Sequence, residues 1–290
     1  MTSYELDNTE RKYFGLKAVS KSWDRKSLSP TVSVYFDGTK ILKIISWDKG
    51  YSYLEYDTNI NTINREIILP KTNKGKEQKL TVAKLIKIKG SGIQFTASFQ
   101  GGGIHVYDHR RSSCIIKSYI EEGQISNYND VGNWVKNYIT SSPANYFEWL
   151  CNQLSRKKEK HKAKAGDIIA FQVGRNEYGF ARVILSNYVT EHLLLNDEVY
   201  KSNLFIRPLL ISIYATTSSS LEIDFDELIK MPTLNPIEIF DSNVYNGEFP
   251  IVAFRQLKED YSNKIELFKL SKYLTIPLTK TDILNKNNKW

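Results

Sequence analysis

In "TVSVYFDGTKILKIISW", Val32, Val34 and Phe36 alternate with polar or amphipathic neighbours, Asp37-Gly38 interrupts, and a β-branched run returns. Alternation on both sides of Asp-Gly predicts a hairpin, because successive strand side chains point to opposite faces and glycine readily takes positive φ. "GYSYLEYD" and "NREIILP" predict further strands, the second stopped by Pro70. "LTVAKLIKIKG" fits either a short helix, capped by Thr81 and closed by Gly90, or a strand. "GIQFTASF" and "GGIHVYDHR" alternate around the triple glycine Gly101 to Gly103, which reads as a turn region needing positive φ, and "CIIKSYIEE" adds a strand.

After Asn129 and Asp130 the period lengthens. Val131, Trp134, Val135 and Tyr138 recur at helical spacing behind an Asp N-cap. A second helix is expected from Ser142-Pro143, with proline at the first helical position and Phe147, Leu150 and Leu154 as its buried stripe. It runs into Arg156-Lys157-Lys158, cations suited to the negative end of a helix. Beyond it, "AGDIIAFQVGRNEYGFARVIL" pairs Ile169, Phe171 and Val173 with Ala181, Val183 and Leu185 across the connection "RNEY", bracketed by Gly174 and Gly179. "NLFIRPLLISIYATT" predicts two strands, or an edge strand with a bulge, because Pro208 breaks it. "DFDELIKM" predicts a short helix, and "FPIVAFRQL" and "KIELFKLSKYL" the last strands. The expected fold class is α+β: two β-rich domains with mainly antiparallel sheets and a few helices. The boundaries are an N-terminal domain at 1–155, a basic linker at 156–165 and a β-rich C-terminal domain at 166–290.

Charge sharpens this division. The net charge of +8 is unevenly spread. Residues 1–155 carry 21 basic and 15 acidic side chains, 156–165 six and one, and 166–290 13 and 16. The two cysteines, Cys114 and Cys151, are too few for a disulfide scaffold and are expected as small buried hydrophobes in a reducing cytoplasm. No apolar run follows the N-terminus, so no signal peptide is expected, and no stretch approaches the roughly 20 apolar residues of a membrane span.

The motif Gly166-Asp167, the apolar run Ile168 to Val173, Tyr178-Gly179 and then Arg182-Val183 resembles the opening of immunity protein family 26 of bacterial polymorphic toxin systems. The likeness covers mainly 164–290. Residues 1–155 resemble an N-terminal extension of longer members. The resemblance implies a cytoplasmic protein that neutralises a cognate toxin by binding it. Some relatives carry a phosphotriesterase name, so metal-dependent hydrolysis of organophosphate-like esters is weighed as an alternative.

The residues themselves favour binding. Hydrolysis of that kind needs several His and carboxylate ligands around one ion. The chain has four histidines, His105, His109, His161 and His192. "HVYDH" offers His105, Asp108 and His109, but on a strand residues four apart sit roughly 13 Å from one another, too far to share an ion. No nucleophile elbow, dinucleotide fingerprint or P-loop is present. No cofactor is called for. Nucleic-acid binding through "RKKEKHKAKA" is a second alternative, weakened because that segment has no interleaved aromatics for stacking. The 18 tyrosines and five tryptophans suit a protein interface, with Tyr51, Tyr53 and Tyr56 among the candidates. The expected toxin-binding surface is the "GRNEYG" turn, Arg175, Asn176, Glu177 and Tyr178, exposed at a hairpin tip.

Overall fold

The computed structural model describes residues 4–48, 51–63, 68–78, 80–87, 90–100, 103–119, 125–158, 162–186 and 208–257. His161, His192 and "KIELFKLSKYL" lie outside them, as do parts of "NREIILP", "CIIKSYIEE" and "NLFIRP" and the glycines Gly101 and Gly102. The chain is α+β and divides into two compact units, Met1–Ser155 and Arg156–Trp290.

The first unit is an antiparallel meander. Its strands β1 (Asp24–Ser29), β2 (Val32–Phe36), β3 (Lys40–Asp48), β4 (Ser52–Asn61), β5 (Ile93–Ser98), β6 (Gly103–Asp108) and β7 (Ser113–Tyr119) lie side by side in chain order. The Asp37-Gly38 turn closes because Gly38 takes φ 94° and the Asp37 carboxylate accepts from the Thr39 and Lys40 amides at 2.7 Å each. One face of β2–β4 buries Val32, Val34, Phe36, Ile41, Ile44 and Tyr56 around Leu85. Leu85 belongs to α2 (Val82–Lys87), which settles the ambiguous run as a helix begun at Thr81. The first unit's other helices are α1 (Asn8–Tyr13), α3 (Tyr128–Thr140) and α4 (Tyr146–Ser155); Phe14, just past α1, meets Phe95 of β5 and Trp134 and Tyr138 of α3, and Tyr146 stacks on Tyr13.

Both helix starts differ from expectation. Asn127, not an aspartate, caps α3, its side chain accepting from the Asn129 and Asp130 amides. Asp130 instead reaches back to the Ser126 amide and hydroxyl at 2.8 Å. Pro143 lies in the turn before α4, where its carbonyl accepts from the Tyr146 amide. The buried stripe of α4 is therefore Tyr146, Trp149, Leu150 and Gln153. Cys114 is half-buried and Cys151 exposed, so neither is a core residue.

The second unit holds a five-stranded antiparallel sheet in the order β11 (Ile237–Phe240), β10 (Pro208–Ser218), β9 (Glu177–Ser186), β8 (Asp167–Gly174), β12 (Ile251–Phe254). Pro208 is the first residue of an interior strand, where its missing amide interrupts least. One face collects Ile169, Phe171, Ala181, Val183, Leu209, Ile211 and Ile213, as the hairpin pattern predicts. The other face is buried too, through Ile168, Ala170, Phe180, Ile184, Leu210 and Tyr214. Two short helices follow β10: α5 (Phe225–Leu228), capped by Asp224, and α6 (Asp241–Tyr245).

Candidate functional site

The β8–β9 hairpin is tighter than "RNEY" suggests. Gly174 pairs with Glu177, so only Arg175 and Asn176 form the turn, and Asn176 takes φ 56°, a left-handed conformation asparagine tolerates well. Glu177 and Tyr178 are consequently strand residues. The Glu177 carboxylate accepts from the Thr217 hydroxyl at 2.8 Å. Tyr178 is only 5% exposed, with the Arg156 guanidinium 5.9 Å from its ring centroid. Tyr178 is thus corrected from an exposed tip residue to a buried one, and Arg175, Asn176 and Glu177 are each half-buried.

The remaining motif residues hold the sheet edge. Gly166 takes φ 94°, donates to the Val183 carbonyl and accepts from the Arg255 amide at 2.9 Å. A Cβ there would meet the Arg255 carbonyl oxygen at 2.7 Å, so glycine is needed for both conformation and space. The Asp167 carboxylate accepts from the Lys164 amide at 2.8 Å and closes the turn into β8. Arg182 donates through one terminal nitrogen to the carbonyls of Arg255 and Gln256, at 2.7 Å each. Gly-Asp and Arg are therefore the clasp that fastens β12 to β8.

The basic segment is not a bare linker. Three of its cations lie over aromatic rings of the second unit: Arg156 over Tyr178, Lys158 over Tyr245 at 5.9 Å and Lys164 over Phe254 at 4.5 Å. Ala163 enters the core cluster. Each exposed cation–ring contact contributes about 0.5–1 kcal/mol. Tyr245 and Phe254 nonetheless stay 54% and 46% exposed, whereas the other described aromatics of this unit are buried or half-buried. These two rings escaped sequence reasoning because each meets its cation from a distant part of the chain, which no local spacing reveals.

The "HVYDH" residues do not converge. His105 and Asp108 are three apart on β6 and so face opposite sides. His105 is paired in register with Lys117, and burial followed by that cation pushes its imidazole pKa down. Burial would raise the Asp108 carboxyl, but hydrogen bonds from Arg110 and Arg111 outweigh it and hold the carboxyl below its ordinary range. His109 lies beyond the strand, its Nε2 2.6 Å from the Gln94 side-chain oxygen. Among the described residues no three His, Cys, Asp or Glu side chains are placed to hold a metal ion.

The densest charge in the first unit is buried. Lys43 and Glu55 are fully covered, and Lys43 Nζ lies 2.9 Å from Glu55 Oε1 and 2.7 Å from Asp57 Oδ1. Glu55 also accepts from Arg11 Nε at 2.7 Å and the Tyr53 hydroxyl at 2.6 Å, while Arg11 continues to Glu5 at 2.9 Å. Asp57 accepts from the Lys17 amide at 3.0 Å. Burial leads in raising the Asp57 carboxyl above its ordinary value, with Lys43 and Lys17 opposing. Tyr35, hydrogen-bonded to Glu5, is pushed up to about 12, by burial first and then by that carboxylate. Positive and negative groups alternate along this chain, which ties the N-terminal segment to the sheet. Tyr53 and Tyr56, candidates for an interface, are core residues, whereas Tyr51 is exposed.

Residues 164–274 match the family model of Immunity protein 26. No curated protein and no solved structure matches the chain. No helix among the described residues is long and apolar enough to cross a membrane.

Proposed function

We propose that this chain neutralises a cognate bacterial toxin in the cytoplasm by stoichiometric binding, without catalysis of its own. The observation that carries the reading is the match of residues 164–274 to Immunity protein 26, a family that implies a toxin partner. Its clasp and buried ion pairs are what a rigid inhibitor needs, since a preformed surface loses little entropy on docking. Neither Asp108, held by two arginines, nor His109, beside Gln94, is poised to activate water. On this reading 1–155 is an N-terminal domain and 166–290 the immunity domain, with the turn at Arg175 and Asn176 reaching the partner only at its margin.

The test uses the full chain and, as candidate toxin, the C-terminal domain of the protein that the adjacent upstream gene encodes. A one-to-one complex by calorimetry, with the toxin's activity abolished at equimolar chain, is the expected result. Stoichiometric zinc with genuine turnover of an organophosphate ester would overturn it in favour of a hydrolase. Retention on DNA with no affinity for the toxin domain would overturn it in favour of a nucleic-acid binder.

A further inference from the structure

Tyr245 and Phe254 are large, half-exposed aromatics, and each carries an ammonium over its ring. Both ammoniums come from one short segment: Lys158 and Lys164 are separated by six residues, which span at most about 20 Å. That distance fits within one side of a standard protein interface, which covers about 800 Å² per partner. The surrounding charge is asymmetric. Arg255 is already paired with Asp226 at 2.7 Å and Lys230 with Glu227 at 2.6 Å. The Lys158 and Lys164 ammoniums have no carboxylate partner among the described residues, only the rings; the Asp167 carboxylate takes the Lys164 amide instead.

We propose that the Lys158–Tyr245 and Lys164–Phe254 pairs form the docking face of the second unit and that their partner is an acidic protein surface. This rests on the toxin-binding reading above and names the chemistry its partner presents. An ammonium resting on a ring is partly ordered before any carboxylate arrives, so a partner's Asp or Glu finds its donor in place at reduced entropic cost. The exposed ring beside it supplies apolar area of the kind that anchors interfaces. A nucleic acid fits less well: stacking a base on Phe254 would displace the lysine 4.5 Å from its centroid, whereas a carboxylate uses ring and lysine together. The face also reverses the naive use of charge. Residues 166–290 are acidic in sum, yet the unpaired charge at these rings is positive.

The test measures binding of that candidate toxin domain to wild type and to the double variant Lys158→Gln/Lys164→Gln at low and moderate salt. The association rate is expected to fall about tenfold and its salt dependence to flatten, with the melting temperature lowered by only a few degrees, the loss of the two ring contacts. Tyr245→Ala should raise the dissociation rate about tenfold or more. Lys21→Gln/Lys26→Gln, two exposed lysines of the first unit, makes the same charge change and should leave both rates as in wild type. Equal loss in both double variants, reflecting bulk charge, overturns the proposal. So does full toxin affinity in Lys158→Gln/Lys164→Gln, including the case where only retention on a single-stranded oligothymidine is lost; the toxin-binding reading then stands without this face. If wild type does not bind the domain at all, that reading falls and the face falls with it.

Discussion

Replacing Lys43 with methionine removes the cation on which Glu55 and Asp57 converge while keeping most of the side chain's volume. The ammonium is 0% exposed and lies 2.7 and 2.9 Å from its two acceptors. At an effective dielectric of about 20, each contact is worth about 6 kcal/mol of Coulomb attraction. Much of that offsets the cost of burying the ions, and breaking a buried pair from one side typically costs about 3–5 kcal/mol. The loss falls mainly on Asp57, since Glu55 keeps Arg11 and Tyr53 whereas Asp57 keeps, among the described residues, only the Lys17 amide. Urea unfolding of the full chain, followed by tryptophan fluorescence, should show a first-unit transition destabilised by about 3–5 kcal/mol. The pH dependence adds a sign. The Asp57 carboxyl is raised even in wild type, so the folded state holds its proton to higher pH than the unfolded chain does. Without Lys43 the carboxyl rises further, and protonation relieves it. The penalty should therefore shrink as pH falls from neutral towards the carboxylate range. Lys43→Met/Asp57→Leu should recover part of the loss. A single variant within about 1 kcal/mol of wild type at neutral pH, or a penalty that grows on acidification, refutes a chain of mutually dependent charges.

Three further outcomes follow from the clasp and the β6 corner. Gly166→Ala forces positive φ on a residue with a Cβ 2.7 Å from the Arg255 oxygen, and should cost about 2–4 kcal/mol in the second unit, seen as a lower thermal midpoint. Arg182→Lys should speed hydrogen exchange at the Arg255 amide and cost about 1.5–3 kcal/mol, since one ammonium cannot reproduce the reach of a guanidinium to two carbonyls. Asp108→Asn removes a carboxyl held below its ordinary value. Its wild-type contribution is present above the unfolded pKa and disappears as pH falls through the folded one, so the gap between the two proteins should close on acidification; a constant gap would count against the ion pairs.

The hairpins β2–β3, β5–β6 and β8–β9 were legible because each alternates around a glycine or asparagine turn. The buried charges were not. In "KILKII" a lysine between apolar residues reads as the solvent side of a half-buried strand, but β3 is covered on both faces, and Lys43 is balanced by carboxylates from β4. Tyr178 was misplaced for a related reason. The connection is two residues long, not four, which moves Tyr178 one step into β9 and onto a buried face. The period of α3 was right, whereas of the expected α4 stripe only Leu150 is buried; both starts were wrong, because several Asn, Asp and Ser residues compete for the cap and only local geometry chooses among them.

The hydrogen bonds of Gly166, Asp167 and Arg182 described above are spent on the turn into β8 and on fastening β12. A signature built from such parts sorts proteins by how they are assembled rather than by whom they meet. Two chains sharing it can recognise unlike targets, and whatever separates their choices has to reside in side chains that can be exchanged without loosening that edge.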